Sequence, residues 1–289
     1  MIDAHLHLWN KQHGRVNGLP VYDIGGGRSQ FGAEIRQMLP AYMTDGINSA
    51  ERLIANMDFA QVAGAVVTQE YIDGNQDDYL RQVRRTYSDR LRVSALYEEQ
   101  DLPSLDGMDG IKICAGRLAD LDLTKHEAVF ATAAAHDRFI GIDLADGDTQ
   151  TASLREMIEQ YPNLRIAIGH FGMVTRPGWL EQIRLARHPN VYVESGGITW
   201  LFNAEFYPYP SAVRAIREAA DVCGMEKLMW GSDYPRTMTA ITYRMSWDFI
   251  EKSALLTDKE KPLFFHDNAH AFYRFGPLPE MPYIPHMAE

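Results

Sequence analysis

Met1-Ile2-Asp3-Ala4-His5-Leu6-His7-Leu8-Trp9 is the stretch on which the fold assignment depends. Apolar residues at positions 2, 4, 6 and 8 alternate with Asp3, His5 and His7, which is typical of a β-strand. Because side chains two residues apart on a strand point the same way, His5 and His7 leave one face together. Two imidazoles held in that way can bind a metal ion or a substrate oxygen. The structural alternative is a pair of half-buried histidines on an edge strand.

Strand-like and helical segments alternate along the rest of the chain. The strands predicted after the first are residues 64–68, 91–96, 110–114, 139–144, 164–170, 191–195 and 228–233. Helices are predicted to start at Asn48 with Glu51, Thr124 with Glu127, Ser153 with Glu156 and Thr257 with Glu260, and to cover 75–88, 179–186, 213–223 and 268–273. This alternation predicts a parallel sheet in an α/β protein, and about eight units predict a closed (β/α)8 TIM barrel as a single domain, residues 1–289.

Residues 10–48, between the first strand and the first helix, show no clear periodicity. A segment this long is predicted to be an irregular loop, either a functional lid or a disordered insert. It contains Gly25-Gly26-Gly27-Arg28, which could surround an anion. The run lacks the preceding strand and following helix of a phosphate loop, so a flexible hinge is the favoured interpretation.

Composition excludes several classes of function. The chain has 289 residues, 46% of them apolar, and only two cysteines, which predicts a large core without disulfides and a cytoplasmic location. No signal peptide is expected before the first strand, and no apolar run has the length of a membrane span. The net charge is −11 with no basic cluster, so neither nucleic acid nor a membrane surface is an expected partner. A small-molecule substrate is expected instead.

Polar side chains occur at the ends of the predicted strands, where a barrel of this type carries its active site. These residues are His5, His7, Lys112, Asp143, His170, Glu194 and Asp233. Each has an ordinary explanation alone; His170 could complete a turn, and Asp233 could cap one. Core packing does not explain why polar residues from strands far apart in sequence converge on one rim. The pattern therefore predicts a catalytic site.

Five short motifs resemble the amidohydrolase superfamily, in the amidohydrolase-related branch that includes sugar lactonases and 2-pyrone-4,6-dicarboxylate hydrolases. The matching segments are Asp3-Ala-His5-Leu-His7, Ile-Gly-His170-Phe-Gly, Asn190-Val-Tyr-Val-Glu-Ser-Gly196, Gly231-Ser-Asp233-Tyr-Pro235 and Asn268-Ala-His-Ala-Phe-Tyr273. The likeness covers essentially the whole chain. The N-terminal histidine pair together with Gly-Ser-Asp-Tyr-Pro is its most specific part.

The chain departs from the metal-dependent members of that superfamily on strands four and five. Most of them carry a metal ligand on strand four and a histidine on strand five, whereas the matching segments here contain Lys112 and Ile142-Asp143-Leu144. An unmodified lysine is a cation and cannot ligate a metal. A carbamylated lysine that bridges two metals would usually need the strand-five histidine. The resemblance therefore implies at most one metal ion, and the Asp-Leu pattern resembles the lactonase branch.

The predicted reaction is hydrolysis of a lactone of a sugar acid or of an aromatic-degradation product. His5, His7 and Asp233 are expected to bind one divalent ion, zinc or alternatively manganese, that polarises the carbonyl. In a metal-free alternative, the histidines donate hydrogen bonds to the carbonyl oxygen. Asp233 is the expected base, with His170 and Lys112 as further catalytic residues.

A carboxylate-bearing substrate is expected, and its predicted contacts are Arg28, Arg117, Arg236 and Asp143. Lys112 is a further candidate partner for the substrate carboxylate. Two other functions are compatible with the same residues. One is a metal-dependent decarboxylase or a lactone isomerase on the same scaffold, and the other is a ligand-binding barrel without catalysis.

Overall fold

A computed structural model describes residues 1–285 and residue 287, and it contains two sheets. The strands are β1 (Ile2–His7), β2 (His13–Val16), β3 (Leu19–Asp23), β4 (Arg28–Phe31), β5 (Glu34–Gln37), β6 (Gly64–Thr68), β7 (Leu91–Leu96), β8 (Gly110–Ile113), β9 (Phe139–Ile142), β10 (Ile166–Ile168), β11 (Val191–Glu194) and β12 (Leu228–Met229). Eight of them, β1 and β6 to β12, pair in parallel and in sequence order. The predicted TIM barrel is confirmed.

Helices follow most of the barrel strands. They are α1 (Ala50–Ala60), α2 (Asp77–Thr86), α3 (Glu127–Ala135), α4 (Thr151–Gln160), α5 (Trp179–Leu185), α6 (Ile198–Leu201), α7 (Pro210–Cys223), α8 (Met245–Glu251), α9 (Glu260–Pro262) and α10 (Asn268–Phe272). Short 3₁₀ turns cover Ala115–Arg117, Leu123–His126, His170–Gly172, Met225–Lys227 and Arg236–Thr239, and a π turn, Leu263–Asp267, joins α9 to α10. Within the described part of the chain, no helix combines the length and the apolar character that crossing a bilayer requires.

Burial explains why the barrel strands are apolar runs. Every residue of β6, β7 and β8 is buried, because one face meets the barrel interior and the other meets the helices. At the amino ends of the strands, Ile2 and Phe139 pack with Phe272 and Tyr273, which α10 and the residue after it bring to that end. The polar strand ends are thereby left at the opposite rim.

The barrel closes through hydrogen bonds between β1 and the segment after β12. The Ala4 amide donates to the Trp230 carbonyl and the His7 amide to the Tyr234 carbonyl, both at 2.8 Å. In return, the Asp233 amide donates to the His5 carbonyl at 2.9 Å. Because the backbones of His5, His7 and Asp233 take part in the closure, it also sets the spacing of their side chains.

Asp3 stabilises this closure from inside the barrel. Its carboxylate is fully buried and accepts hydrogen bonds from the Ser232 amide and hydroxyl, the Tyr243 hydroxyl and the His5 amide. Burial raises the pKa of Asp3 to about 6, although these hydrogen bonds favour the charged form. Asp3 thus connects the β1 backbone at His5 to Ser232, the residue before Asp233.

The predicted start of α1 is wrong by one residue. Ser49 caps the helix by accepting from the Arg52 amide. The Asn48 side chain is instead turned toward β1, where it donates to the His7 carbonyl at 2.6 Å. Because asparagine and serine are both favourable N-cap residues, residue type alone does not decide between Asn48 and Ser49.

Of the other three predicted helix starts, two lie at different residues in the structure and one is confirmed. Asp122, not Thr124, caps the turn before α3, and α4 begins before Ser153, at residue 151. At Thr257 the predicted capping pair forms, since the Glu260 carboxylate accepts from the Thr257 amide and the Glu260 amide donates to the Thr257 hydroxyl.

The prediction that residues 10–48 form an irregular loop is wrong. The segment contains a four-stranded antiparallel sheet, β2 to β5. Asn17-Gly18 connects β2 to β3 with positive φ at both residues (51° and 77°), which is the conformation of a tight hairpin turn. The predicted Gly25-Gly26-Gly27 hinge lies in the connection from β3 to β4.

The small sheet is attached to the barrel rim. The His13 amide donates to the Asp73 carbonyl at 3.1 Å and the Arg15 amide to the Tyr71 carbonyl at 2.8 Å. Gly14 lies between them, and a β-carbon there would come within 2.1 Å of the Ile72 carbonyl oxygen. The sheet therefore positions the loop after β6.

Replacing Tyr243 by Phe tests the closure. We expect the free energy of unfolding, measured in urea above the pKa of Asp3, to fall by about 1.5–3 kcal/mol because a hydrogen bond to a charged acceptor is lost. Tyr22→Phe is the matched control, since Tyr22 is 46% exposed. Equal effects of the two substitutions would contradict the role of Asp3 in the closure.

Candidate active site

The strand ends bring seven predicted polar side chains to one rim of the barrel. β1 contributes His5 and His7, and the segment after β12 contributes Asp233. His170 follows β10 and Glu194 ends β11, while Lys112 and Asp143 come from β8 and the residue after β9. The rim opens into a cavity of about 390 Å³ whose lining includes His7, Asp143, His170 and Asp233. A larger cavity of about 660 Å³, between β2 and residues 98–104, contains none of the seven.

Three of these side chains form a compact cluster. His5 Nε2 lies 3.1 Å from His7 Nε2, and Asp233 Oδ1 lies 3.0 Å from His7 Nε2 and 4.0 Å from His5 Nε2. All three residues are at most 2% exposed. The two imidazoles and the carboxylate thus direct three donor atoms at one point.

The cluster fits a divalent metal ion. Ligand atoms about 2.0–2.2 Å from one tetrahedral ion lie roughly 3.3–3.6 Å apart, close to the spacing observed. Although His7 Nε2 is near, Asp233 Oδ1 is buried without a well-directed hydrogen bond, as metal-facing oxygens are. Burial and the nearby Arg236 charge lower the pKa of His7 well below its usual value, which keeps this imidazole neutral and able to ligate.

Glu194 orients His5, a role that the sequence analysis did not predict. Glu194 Oε1 lies 2.7 Å from His5 Nδ1, and the same carboxylate accepts from the amides of His170 and Gly196. Because Nδ1 is engaged, Nε2 of His5 faces the cluster. The available signal was the position of Glu194 at the end of the seventh barrel strand.

Lys112, Asp143 and His170 form a chain of alternating charge beside the cluster. Lys112 Nζ lies 2.6 Å from Asp143 Oδ1, and His170 Nε2 lies 3.5 Å from Asp143 Oδ2. Burial opposes ionisation of Asp143, but Lys112 and His170 hold its pKa well below the ordinary value. Burial also disfavours the charged His170, yet Asp143 raises its pKa to about 10. His170 is therefore a cationic hydrogen-bond donor at neutral pH.

Lys112 is separated from the cavity by Asp143. Its side chain is 2% exposed and pairs with Asp143, while Asp143 lines the cavity wall. Burial would lower the pKa of Lys112, but Asp143 and neighbouring anionic groups raise it. A lysine held as a cation is unsuited to carbamylation, which requires the neutral amine.

Two other groups of possible ligand atoms share Asp143. They are His5 with Asp143 and His170, and Glu70 with Cys114 and Asp143, each set lying within 4.8 Å. Asp143 already neutralises Lys112, and burial raises the pKa of the Cys114 thiol well above its usual value. The cluster of His5, His7 and Asp233 is therefore the best metal candidate.

The predicted arginines differ in availability. Arg236 is half-buried, pairs with Asp73 at 2.7 Å and lies 3.6 Å from Asp233 Oδ1. Arg117 lines the cavity and is 3.5 Å from Glu70 through Nε. Arg28 is exposed on the small sheet, donates to the Gly25 carbonyl and does not line the cavity.

Trp200 is an important site residue that was not predicted from the sequence. Its indole Nε1–H donates to Asp233 Oδ2 at 2.6 Å, and its ring lines the cavity. Asp233 itself has a positive φ of 59°, a strained conformation for a residue with a side chain. Trp200 had no strand-end signal, because it belongs to α6, beyond β11.

The chain is similar to several known proteins along most of its length. The family described as amidohydrolase matches residues 2–275. An L-fucono-1,5-lactonase from Burkholderia ambifaria is 27% identical over 259 residues, 81% of this chain and 80% of the relative. The uncharacterized protein y4mH from Sinorhizobium fredii is 29% identical over 136 residues, 43% of this chain and 44% of y4mH.

Solved structures share the fold at lower identity. A probable 2-pyrone-4,6-dicarboxylic acid hydrolase from Acinetobacter baumannii, solved with citric acid bound, has a TM-score of 0.70 at 18% identity, over 95% of this chain and 99% of its own. An amidohydrolase from Burkholderia multivorans, solved with bound zinc, has a TM-score of 0.69 at 15% identity, with the same coverage. Members of this fold thus include a zinc-bound protein.

His5→Ala tests the metal cluster. We expect the wild type to bind one zinc ion per chain and the variant to lose it, because one of three ligands is removed. Metal content after dialysis, measured by mass spectrometry, gives the result, and His136→Ala at an exposed position is the control. Two ions per chain would contradict this account, as would unchanged binding in His5→Ala.

Proposed function

Because this chain belongs to the amidohydrolase family, we propose that it is a lactonase, a hydrolase that opens the cyclic ester of a sugar acid or of an aromatic-degradation product. The observation that carries the proposal is the position of the Asp233 carboxylate and the contacts of its two oxygens. Its carboxylate is buried beside the cavity, with one oxygen bound by Trp200 and the other close to two imidazoles. The named lactonase relative supports the substrate class.

His5, His7 and Asp233 would hold the proposed metal, one divalent ion. Two imidazole ligands and a carboxylate leave an open position, which favours zinc over manganese. Bound there, such an ion would supply Lewis acidity toward the lactone carbonyl and lower the pKa of a water molecule. A second ion is disfavoured, because Lys112 and Asp143 neutralise each other at the position where a bridging ligand would be needed.

Asp233 is the proposed proton carrier. Water attack on the lactone carbonyl releases a proton, which Asp233 takes and then returns to the alkoxide as the ring opens. Burial alone would raise the pKa of Asp233, but the close contact with His7 and the charge of Arg236 keep it below its ordinary value. The carboxylate is thus ionised before substrate binds. A substrate anion bound in the same cavity would offset the charge of Arg236 and make Asp233 more basic.

His170 is the proposed donor to the oxygen that becomes negative. Its Nδ1 donates to the Gly196 carbonyl at 2.8 Å, whereas its Nε2 lies 3.5 Å from Asp143 Oδ2 without a well-directed hydrogen bond, so the Nε2–H remains available to a substrate oxygen. Since Asp143 keeps His170 cationic, the ring is able to stabilise an oxyanion without proton loss. The proposed part of Lys112 is to keep Asp143 ionised, and hence His170 charged.

Arg117 is the proposed partner of a substrate carboxylate. Its guanidinium has only a 3.5 Å contact, from Nε to Glu70, among the ion pairs and hydrogen bonds of the described residues. Arg236 is already engaged by Asp73 at 2.7 Å. The outer nitrogens of Arg117 therefore remain able to bind a carboxylate in a bidentate manner.

Asp233→Asn tests the catalytic proposal. The amide keeps the shape of the side chain but cannot carry the proton, so kcat on a lactone substrate should fall by about 10²–10⁴-fold. Circular dichroism should show an unchanged fold, and metal content should be measured in the same sample. Near-normal turnover would remove Asp233 from the mechanism.

Arg117→Gln tests the substrate contact. Loss of the guanidinium should raise KM for a carboxylate-bearing lactone by roughly tenfold or more, with a smaller effect on kcat, since ground-state binding is weakened. Arg28→Gln is the matched control, because Arg28 lies outside the cavity lining. If Arg28→Gln raised KM and Arg117→Gln did not, the assignment of the two arginines would be reversed.

A further inference from the structure

Trp200 lines the cavity and donates a short hydrogen bond of 2.6 Å to Asp233, the proposed base. We propose that Trp200 is a positioning residue, whose indole N–H holds Asp233 Oδ2 so that Oδ1 remains directed at His5, His7 and the cavity, where the proposed metal and the reacting water would lie. This inference rests on the lactonase function proposed above. It assigns a role to a residue outside the motifs that the sequence analysis identified.

The two oxygens of Asp233 have different surroundings. Oδ2 accepts from Trp200 Nε1 at 2.6 Å, a short hydrogen bond that favours the ionised carboxylate. Oδ1 lies 3.0 Å from His7 Nε2 and 3.6 Å from an Arg236 nitrogen, but accepts no well-directed hydrogen bond. Rotation of the carboxylate would exchange the two oxygens, and the indole opposes that rotation.

The local backbone makes room for the indole. Gly197 has φ 71°, and a β-carbon there would lie 1.9 Å from Trp200 Nε1. A β-carbon at Gly196 would come within 2.8 Å of His5 Cγ. Consecutive glycines therefore allow α6 to fold back over the strand end and direct its tryptophan at Asp233.

α6 is held to the same segment as Asp233 by a second contact. Thr199, 5% exposed, has its hydroxyl 3.3 Å from the Thr237 hydroxyl, and the Thr237 amide donates to the Asp233 carbonyl at 3.3 Å. Trp200 and Asp233 thus sit on two segments that are fixed to each other. Such support is what a positioning contact requires.

Steady-state kinetics distinguish a positioning role for Trp200 from a role in which it only lines the cavity and contacts substrate. The indole is 38% exposed and its ring lies 5.7 Å from that of His170, so it could also touch substrate. If Trp200 acts through Asp233, Trp200→Phe should lower kcat about 10–100-fold and leave KM within about threefold. If it only forms a wall, KM should rise while kcat stays near the wild-type value, which would overturn the proposal.

Matched variants separate this effect from general loss of a tryptophan. Trp247→Phe makes the same change at a buried position whose indole nitrogen has no hydrogen-bond partner among the described residues, and it should leave kcat unchanged. Gly197→Ala should reproduce the loss in kcat, because it displaces the indole. A normal kcat in Gly197→Ala with a folded protein would count against the proposal.

An NMR measurement tests the contact without any substrate. Nitrogen-15 labelling of tryptophan gives one indole N–H signal per ring, and Trp200→Phe identifies the Trp200 signal. Asp233→Asn should move that signal upfield, because a charged acceptor is replaced by a neutral one, and should leave the Trp247 signal in place. An unmoved Trp200 signal would overturn the positioning role, whatever the substrate. A moved signal without lactone turnover would support the contact and refute the proposed function alone.

Discussion

The site depends on how the barrel closes between β1 and the segment that follows β12. The His7 amide donates to Tyr234 and the Asp233 amide donates to His5, so residues far apart in sequence share one short hydrogen-bonded contact. Asp3 holds both sides of it through Ser232 and the neighbouring backbone. Closing a parallel barrel requires such a contact, and here it also sets the distances among His5, His7 and Asp233. Fold and site therefore share one constraint, and a change that loosens the closure would also separate the candidate ligands.

Charge balance is the second requirement of this rim, because several ionised groups are buried together. Lys112 and Asp143 neutralise each other, and their pairing keeps His170 cationic beside the cavity. Arg236 pairs with Asp73 and lies near Asp233 in the same way. Removing one member of such a pair leaves an uncompensated charge in a buried position, which costs more than the pair contributes. Substitutions in the rim are thus best made with neutral isosteres, so that chemistry and stability are affected separately.

Sequence alone was sufficient to predict the barrel and to place His5, His7 and Asp233 on one rim, because both follow from local patterns. Apolar runs mark strands buried on two faces, and polar residues at their ends are necessarily on one rim. The features that were not predicted depend on contacts between segments that are far apart in sequence or only weakly periodic. Asn17-Gly18 is a hairpin signal, but the strands it joins are short and partly exposed, so their periodicity is weak. Trp200 reaches Asp233 only because α6 folds back over the rim, and no spacing rule predicts that path.

Oxygen-18 labelling during turnover tests the central claim most directly. Purified, metal-replete protein would be incubated with sugar-acid and aromatic lactones in oxygen-18 water, and the products analysed by mass spectrometry. The account predicts ring opening with one labelled oxygen in the new carboxylate, because water attacks the lactone carbonyl. Loss of carbon dioxide, or an isomerised lactone without label, would contradict it, as would the absence of turnover across the panel by protein with a full complement of metal.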